Sequence, residues 1–72
     1  MRFTASERRM MEKYNMDFSV GYATVKTNSG KTAMVESNFG AVNHFSLFLV
    51  EEKKMVCTRA RLDTIVNKLE TL

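Results

Sequence analysis

The sequence predicts an α+β fold: an N-terminal helix, an antiparallel sheet of three or four strands in meander order, and a C-terminal helix, with both helices on one face of the sheet. Three observations carry this. Apolar residues recur at three- and four-residue spacing near both ends of the chain. Between them, short apolar runs alternate at period two. A strong turn signal, Asn28-Ser29-Gly30, joins two of those runs.

Thr4-Ala5-Ser6-Glu7 reads as a capping box that opens the first helix. Met10, Met11 and Tyr14 share one side of it, and Asn15 is the expected stop. The first strand is expected from Asp17 to Thr27, with Gly21 marking a bulge or a close backbone approach. Lys31 to Ser37 returns. A loop of Asn28-Ser29-Gly30 sets the register: Thr27 faces Lys31, Val25 faces Ala33, Thr24 faces Met34, Ala23 faces Val35 and Tyr22 faces Glu36. Asn38 to Asn43 reads as a loop, and His44 to Val50 as the third strand. After Glu51-Glu52-Lys53-Lys54, a fourth strand is expected over Met55 to Thr58. It pairs Val50 with Met55, Leu49 with Val56 and Phe48 with Cys57. Thr58 or Arg59 then opens the last helix, whose apolar stripe is Leu62, Ile65, Val66, Leu69 and Leu72.

The strands carry bulky apolar residues on both faces. Two helices cover Ala23, Val25, Ala33, Val35, Leu47, Leu49 and Val56. The other face then shows Phe18, Val20, Tyr22, Met34, Phe48, Val50 and Met55. An apolar patch beyond a few hundred Å2 is rare on a soluble monomer. At 72 residues the chain is one domain with a marginal core. Small domains add disulfides, metal or oligomerisation. Cys57 is the only cysteine and His44 the only histidine, so neither a disulfide nor a four-ligand zinc site can form within the chain. Self-association, as a homodimer, is the remaining device. Phe18, Tyr22, Met34 and Phe48 are the expected protein contacts, with Met34 suited to an adaptable interface.

Charged residues are 26% of the chain and the net charge is +3. Lys53, Lys54, Arg59 and Arg61 are close in sequence. Arg59 and Arg61 fall in the expected first turn of the last helix, where cations oppose the helix dipole. They are the expected anion or nucleic-acid contacts. Other chemistry finds little footing. Gly30-Lys31-Thr32 matches the end of a phosphate-binding loop, but Val25 stands where that motif needs glycine, and a strand follows. The expected register puts Phe48, not His44, beside Cys57, so no nucleophile–base pair forms. No catalytic residue, cofactor or metal is expected. The longest apolar run, Leu47 to Val50, is far short of a membrane span. A lone cysteine and no apolar leader point to the cytoplasm.

The helix–strands–helix order resembles the double-stranded RNA-binding domain in outline. That resemblance implies phosphate contacts at Arg59 and Arg61, matching the lysines that open that family's last helix. The helix opening here reads Thr58-Arg59-Ala60-Arg61-Leu62, without the family's Lys-Lys-x-Ala-Lys signature. The leading expectation is a small non-enzymatic protein that binds a protein partner, a compact inhibitor or adaptor of the kind phage and mobile elements encode. A nucleic-acid binder is the alternative.

Overall fold

The computed structural model describes residues 3–37 and 45–72. The element order is α1 (Ala5–Lys13), β1 (Tyr22–Lys26), β2 (Thr32–Ser37), β3 (Phe45–Leu49), β4 (Lys54–Ala60) and α2 (Leu62–Thr71). The strands form one four-stranded antiparallel sheet in the order β1-β2-β3-β4. The expected loop from Asn38 to Asn43, and His44, lie outside the described residues.

Both ends of α1 follow from local chemistry. The Thr4 hydroxyl accepts from the Glu7 amide at 3.1 Å, and the Glu7 carboxylate accepts from the Thr4 amide at 2.8 Å. That is the capping box read from the sequence. Asn15 sits at φ 55°, a left-handed position that asparagine tolerates. Around it, the Asn15 N–H donates to the Glu12 carbonyl and the Met16 N–H to the Met11 carbonyl. This pair of bonds is a Schellman closure, and it turns Met16 into the core.

Phe18 departs from expectation. Residues 17–21 are not strand; β1 starts only at Tyr22. The Gly21 N–H donates to the Phe18 carbonyl at 2.9 Å, closing a turn with Gly21 at φ 93°. Phe18 therefore leaves the alternation of the strand and is 4% exposed. Its ring packs at 5.6 Å from Phe45 and 5.8 Å from Phe3. Its expected place on the open face is corrected: it is a core residue.

The β1–β2 register is the expected one at every pair. The Gly30 N–H donates to the Thr27 carbonyl and the Thr27 N–H to the Lys31 carbonyl. Gly30 takes φ 90°, which makes this a three-residue loop with a glycine bulge. The β3–β4 register is not the expected one. Phe48 pairs with Met55, Leu49 with Lys54, Leu47 with Cys57 and Phe45 with Ala60, with irregularities between them. The turn sets the pairs next to it, and the irregularities set the rest. The Lys53 N–H bonds the Val50 carbonyl, and Lys53 is left-handed at φ 51°, so the loop sits one residue earlier. Moving the loop by one residue offsets the pairs by two and keeps Met55 on the outer face, opposite Phe48. The inversion comes next along β4. Val56 is an extra residue between the Phe48–Met55 and Leu47–Cys57 pairs, and a one-residue slip inverts faces, so Cys57 stands opposite inward-facing Leu47 rather than outward-facing Phe48.

Alternate residues of β1 to β3 are buried: Ala23 and Val25, Ala33 and Val35, then Phe45, Leu47 and Leu49. They share one core with Leu62, Ile65 and Leu69 of α2, and Met10, Met11 and Tyr14 at α1 pack against it. Both helices thus supply the cluster on that face of the sheet. Near their C-terminal ends they are joined by the Tyr14 hydroxyl, which donates to the Glu70 carboxylate at 3.1 Å. At their other ends, Thr4 and Glu7 share a cleft with Arg61 and Asp63, so the helices run parallel. The hairpin tip holds the end of α2: the Asn28 N–H donates to the Leu69 carbonyl, and the Ser29 hydroxyl to that of Leu72. These carbonyls would otherwise lack partners. No helix among the described residues is long and apolar enough to cross a membrane.

Candidate functional site

The second face of the sheet carries no element among the described residues, and its composition is ordered in rows. The middle row runs across the strands as Thr24, Met34, Phe48 and Met55, each opposite the next. One flanking row is Tyr22, Glu36 and Ser46; the other holds Lys26, Thr32 and Val50. The apolar stripe is therefore narrow and rimmed by polar groups. Met55 is 46% exposed, Tyr22 42% and Val50 38%, whereas Met34 and Phe48 are half-buried. Val20, in the turn before β1, is the most exposed large apolar residue described, at 71%.

Three of the four expected protein contacts share this face: Tyr22, Met34 and Phe48. The fourth, Phe18, is in the core. Met55 lies beside Phe48 in the same stripe and belongs with them. Period-two alternation within each strand was the signal for these residues. At the polar ends of the rows, Lys26 and Glu36 have in sequence the character of ordinary solvated charges, and only the register sets them at the rim of the stripe.

The four basic residues do not form one cluster. Lys53 is in the β3–β4 turn and Lys54 begins β4. Arg59 lies near the far end of β4, which at ordinary strand rise places it about 15 Å from Lys54. The expected first-turn position of Arg59 and Arg61 is also corrected. β4 continues to Ala60, Arg59 is a strand residue at φ 51°, and α2 starts at Leu62 with Arg61 as its N-cap. An arginine has no acceptor to cap with. Asp63 supplies the acidic group of the first turn instead, 3.6 Å from the Arg61 guanidinium and accepting from the Thr64 amide. At the other end, Lys31 and Glu52 pair at 2.6 Å on the surface.

Cys57 is half-buried on the inner side of β4. Burial pushes its thiol pKa up, against a smaller opposing pull from Lys68. That is the reverse of what an activated nucleophile needs. Among the described residues, no group of three or more His, Cys, Asp or Glu side chains could hold a metal ion. Comparison of the chain with protein-family models, with curated proteins and with solved structures finds no match, so any functional reading rests on these residues alone.

Proposed function

We propose that this chain is a small, non-enzymatic, cytoplasmic binding protein whose open sheet face receives a protein partner. The observation that carries the reading is the Met34–Phe48–Met55 stripe, flanked by Tyr22 and Val50 and rimmed by Lys26, Thr32, Glu36 and Ser46. An apolar centre with a polar rim is the usual anatomy of a protein contact. Two methionines give the centre an adaptable surface. The net charge of +3 favours encounter with an acidic partner. A compact inhibitor or adaptor, of the phage or mobile-element kind, fits a chain that presents one such face. A nucleic-acid partner has less support, because a single phosphate-binding patch needs the four basic residues together.

The test compares immobilised wild type with Phe48→Ser, each checked for native circular dichroism. Proteins retained by wild type at about 0.15 M salt and lost from the variant support the face as the contact. Identical retention by both overturns it.

A further inference from the structure

The sheet has two free edges among the described residues, and they are built differently. Along β4 the register breaks twice, Arg59 adopts a left-handed backbone, and Lys54 opens the strand. Bulges and cations of this kind keep an edge from pairing. β1 has none of these devices except a single lysine. It runs from Tyr22 to Lys26 in unbroken register with β2.

The bonds flanking β1 fix which way its peptide groups point. The Ser37 N–H donates to the Gly21 carbonyl at 2.9 Å, and the Thr27 N–H to the Lys31 carbonyl at 2.8 Å. Bonding alternates along an antiparallel strand. Positions 21, 23, 25 and 27 therefore face β2, and Tyr22, Thr24 and Lys26 turn their N–H and C=O groups to the free edge. No described residue bonds them there. Their side chains are all exposed on the open face.

We propose that β1 pairs with β1 of a second copy, antiparallel about a two-fold axis at Thr24, joining two four-stranded sheets into one. In that register Thr24 faces the partner's Thr24, and Tyr22 faces the partner's Lys26 on both sides of the axis. Each of the three residues donates and accepts one backbone bond, the obligatory partners the free edge lacks. The side chains agree with the backbone: Thr–Thr and aromatic–cation neighbours are favourable across strands. Parallel pairing in register would instead set Lys26 beside Lys26, which like charge opposes. On the inner face Ala23 meets the partner's Val25, continuing the core side of the sheet. The seam leaves Met34, Phe48 and Met55 uncovered, so it stands independently of the proposed partner site. A five-residue seam between copies of charge +3 gives a reversible dimer that salt strengthens.

Analytical ultracentrifugation from about 10 μM to about 1 mM tests this. Wild type is expected to pass from the 8.3 kDa monomer to a dimer. Thr24→Lys and Thr24→Glu should each raise the dissociation constant at least about tenfold. An equimolar mixture of the two should restore the dimer, because residue 24 faces itself across the axis. Phe48→Ser should leave the dimer intact. If either Thr24 variant fails to fold, the synthetic chain N-methylated at the Thr24 amide removes only the outward donor and should likewise be monomeric. Wild type monomeric to 1 mM, a dimer indifferent to Thr24, or a mixture that does not recover, would overturn the proposal.

Discussion

The two hairpins of this sheet are made of similar numbers of residues yet obey different rules. In β1–β2 the turn carries the instruction. Asn28-Ser29-Gly30 supplies a glycine at φ 90°, and from it the register follows pair by pair. In β3–β4 the turn is Val50 to Lys53, with a lysine at φ 51° and no glycine, and a second left-handed residue, Arg59, kinks the returning strand. Its register is fixed from outside the hairpin. Phe45 packs with Phe3 and Phe18 in a three-ring cluster, and Leu47 and Leu49 are buried in the core that the helices share. One hairpin is specified locally, and the other is specified by the core it helps to form.

The largest way to break that contrast is to remove core from β3. Leu47 is fully buried opposite Cys57. Leu47→Ala should cost about 2–5 kcal/mol, a large part of the stability of so small a domain. Val25→Ala in β1 deletes less buried carbon and should cost about 1.5–2.5 kcal/mol. Urea unfolding of the two variants checks the order. A smaller loss for Leu47→Ala than for Val25→Ala would contradict the idea that the core dictates β3.

This division also explains what the sequence made legible. The element order, the α1 capping box, the β1–β2 register and the stripe of α2 all rest on signals within a few residues of one another. Three features do not. The inward turn of Phe18 depends on aromatic rings at Phe3 and Phe45, far apart in the chain. The inward placement of Cys57 depends on the extra β4 residue, Val56, between the Phe48–Met55 and Leu47–Cys57 pairs, and no glycine or other turn residue marks that position in the sequence. The extension of β4 to Ala60 depends on its pairing with Phe45 and carries Arg59 out of the helix. Of the candidate face, Tyr22, Met34 and Phe48 were readable because alternation alone places them. The basic cluster was not, since nearness in sequence along an extended strand is distance in space.

A sharper probe exchanges the turn residues. Nothing lies within 4 Å of a Cβ built on Gly30, so Gly30→Ala tests its backbone alone. It should cost about 1–2 kcal/mol, the penalty of a left-handed residue with a side chain. Lys53→Gly should act in the opposite sense. Relief of the left-handed strain outweighs the added chain entropy, for a gain of up to about 1 kcal/mol. Arg59→Gly has the same sign of strain relief but sits within a strand, where glycine is weakening, so its gain should be smaller. Thermal unfolding of the three proteins reads the signs directly. If Lys53→Gly destabilises, the long side chain contributes to the turn, and both hairpins are then specified by their own turn residues.

The smallest expected effect lies where the two hairpins touch. The Glu51 carboxylate, in the β3–β4 turn, accepts from the Thr32 amide at the start of β2, at 3.1 and 3.2 Å. Its own amide N–H, then that of Thr32, hold its pKa below the ordinary glutamate value. A carboxyl with a lowered folded pKa stabilises the fold above its unfolded pKa, and that contribution fades as pH falls through the folded value. Wild type should therefore exceed Glu51→Gln in stability at neutral pH by a small margin. The margin should shrink as pH drops below about 4.3 and vanish in stronger acid. Since Glu51 is solvent-exposed, hydrogen exchange at the Thr32 amide is the more sensitive readout. Faster exchange in Glu51→Gln at pH 7, with the difference lost in acid, would show the irregular turn of one hairpin holding the first residue of the other's return strand. Equal exchange at both pH values would leave β2 anchored by its backbone ladder alone, and the two hairpins would then meet only through the core.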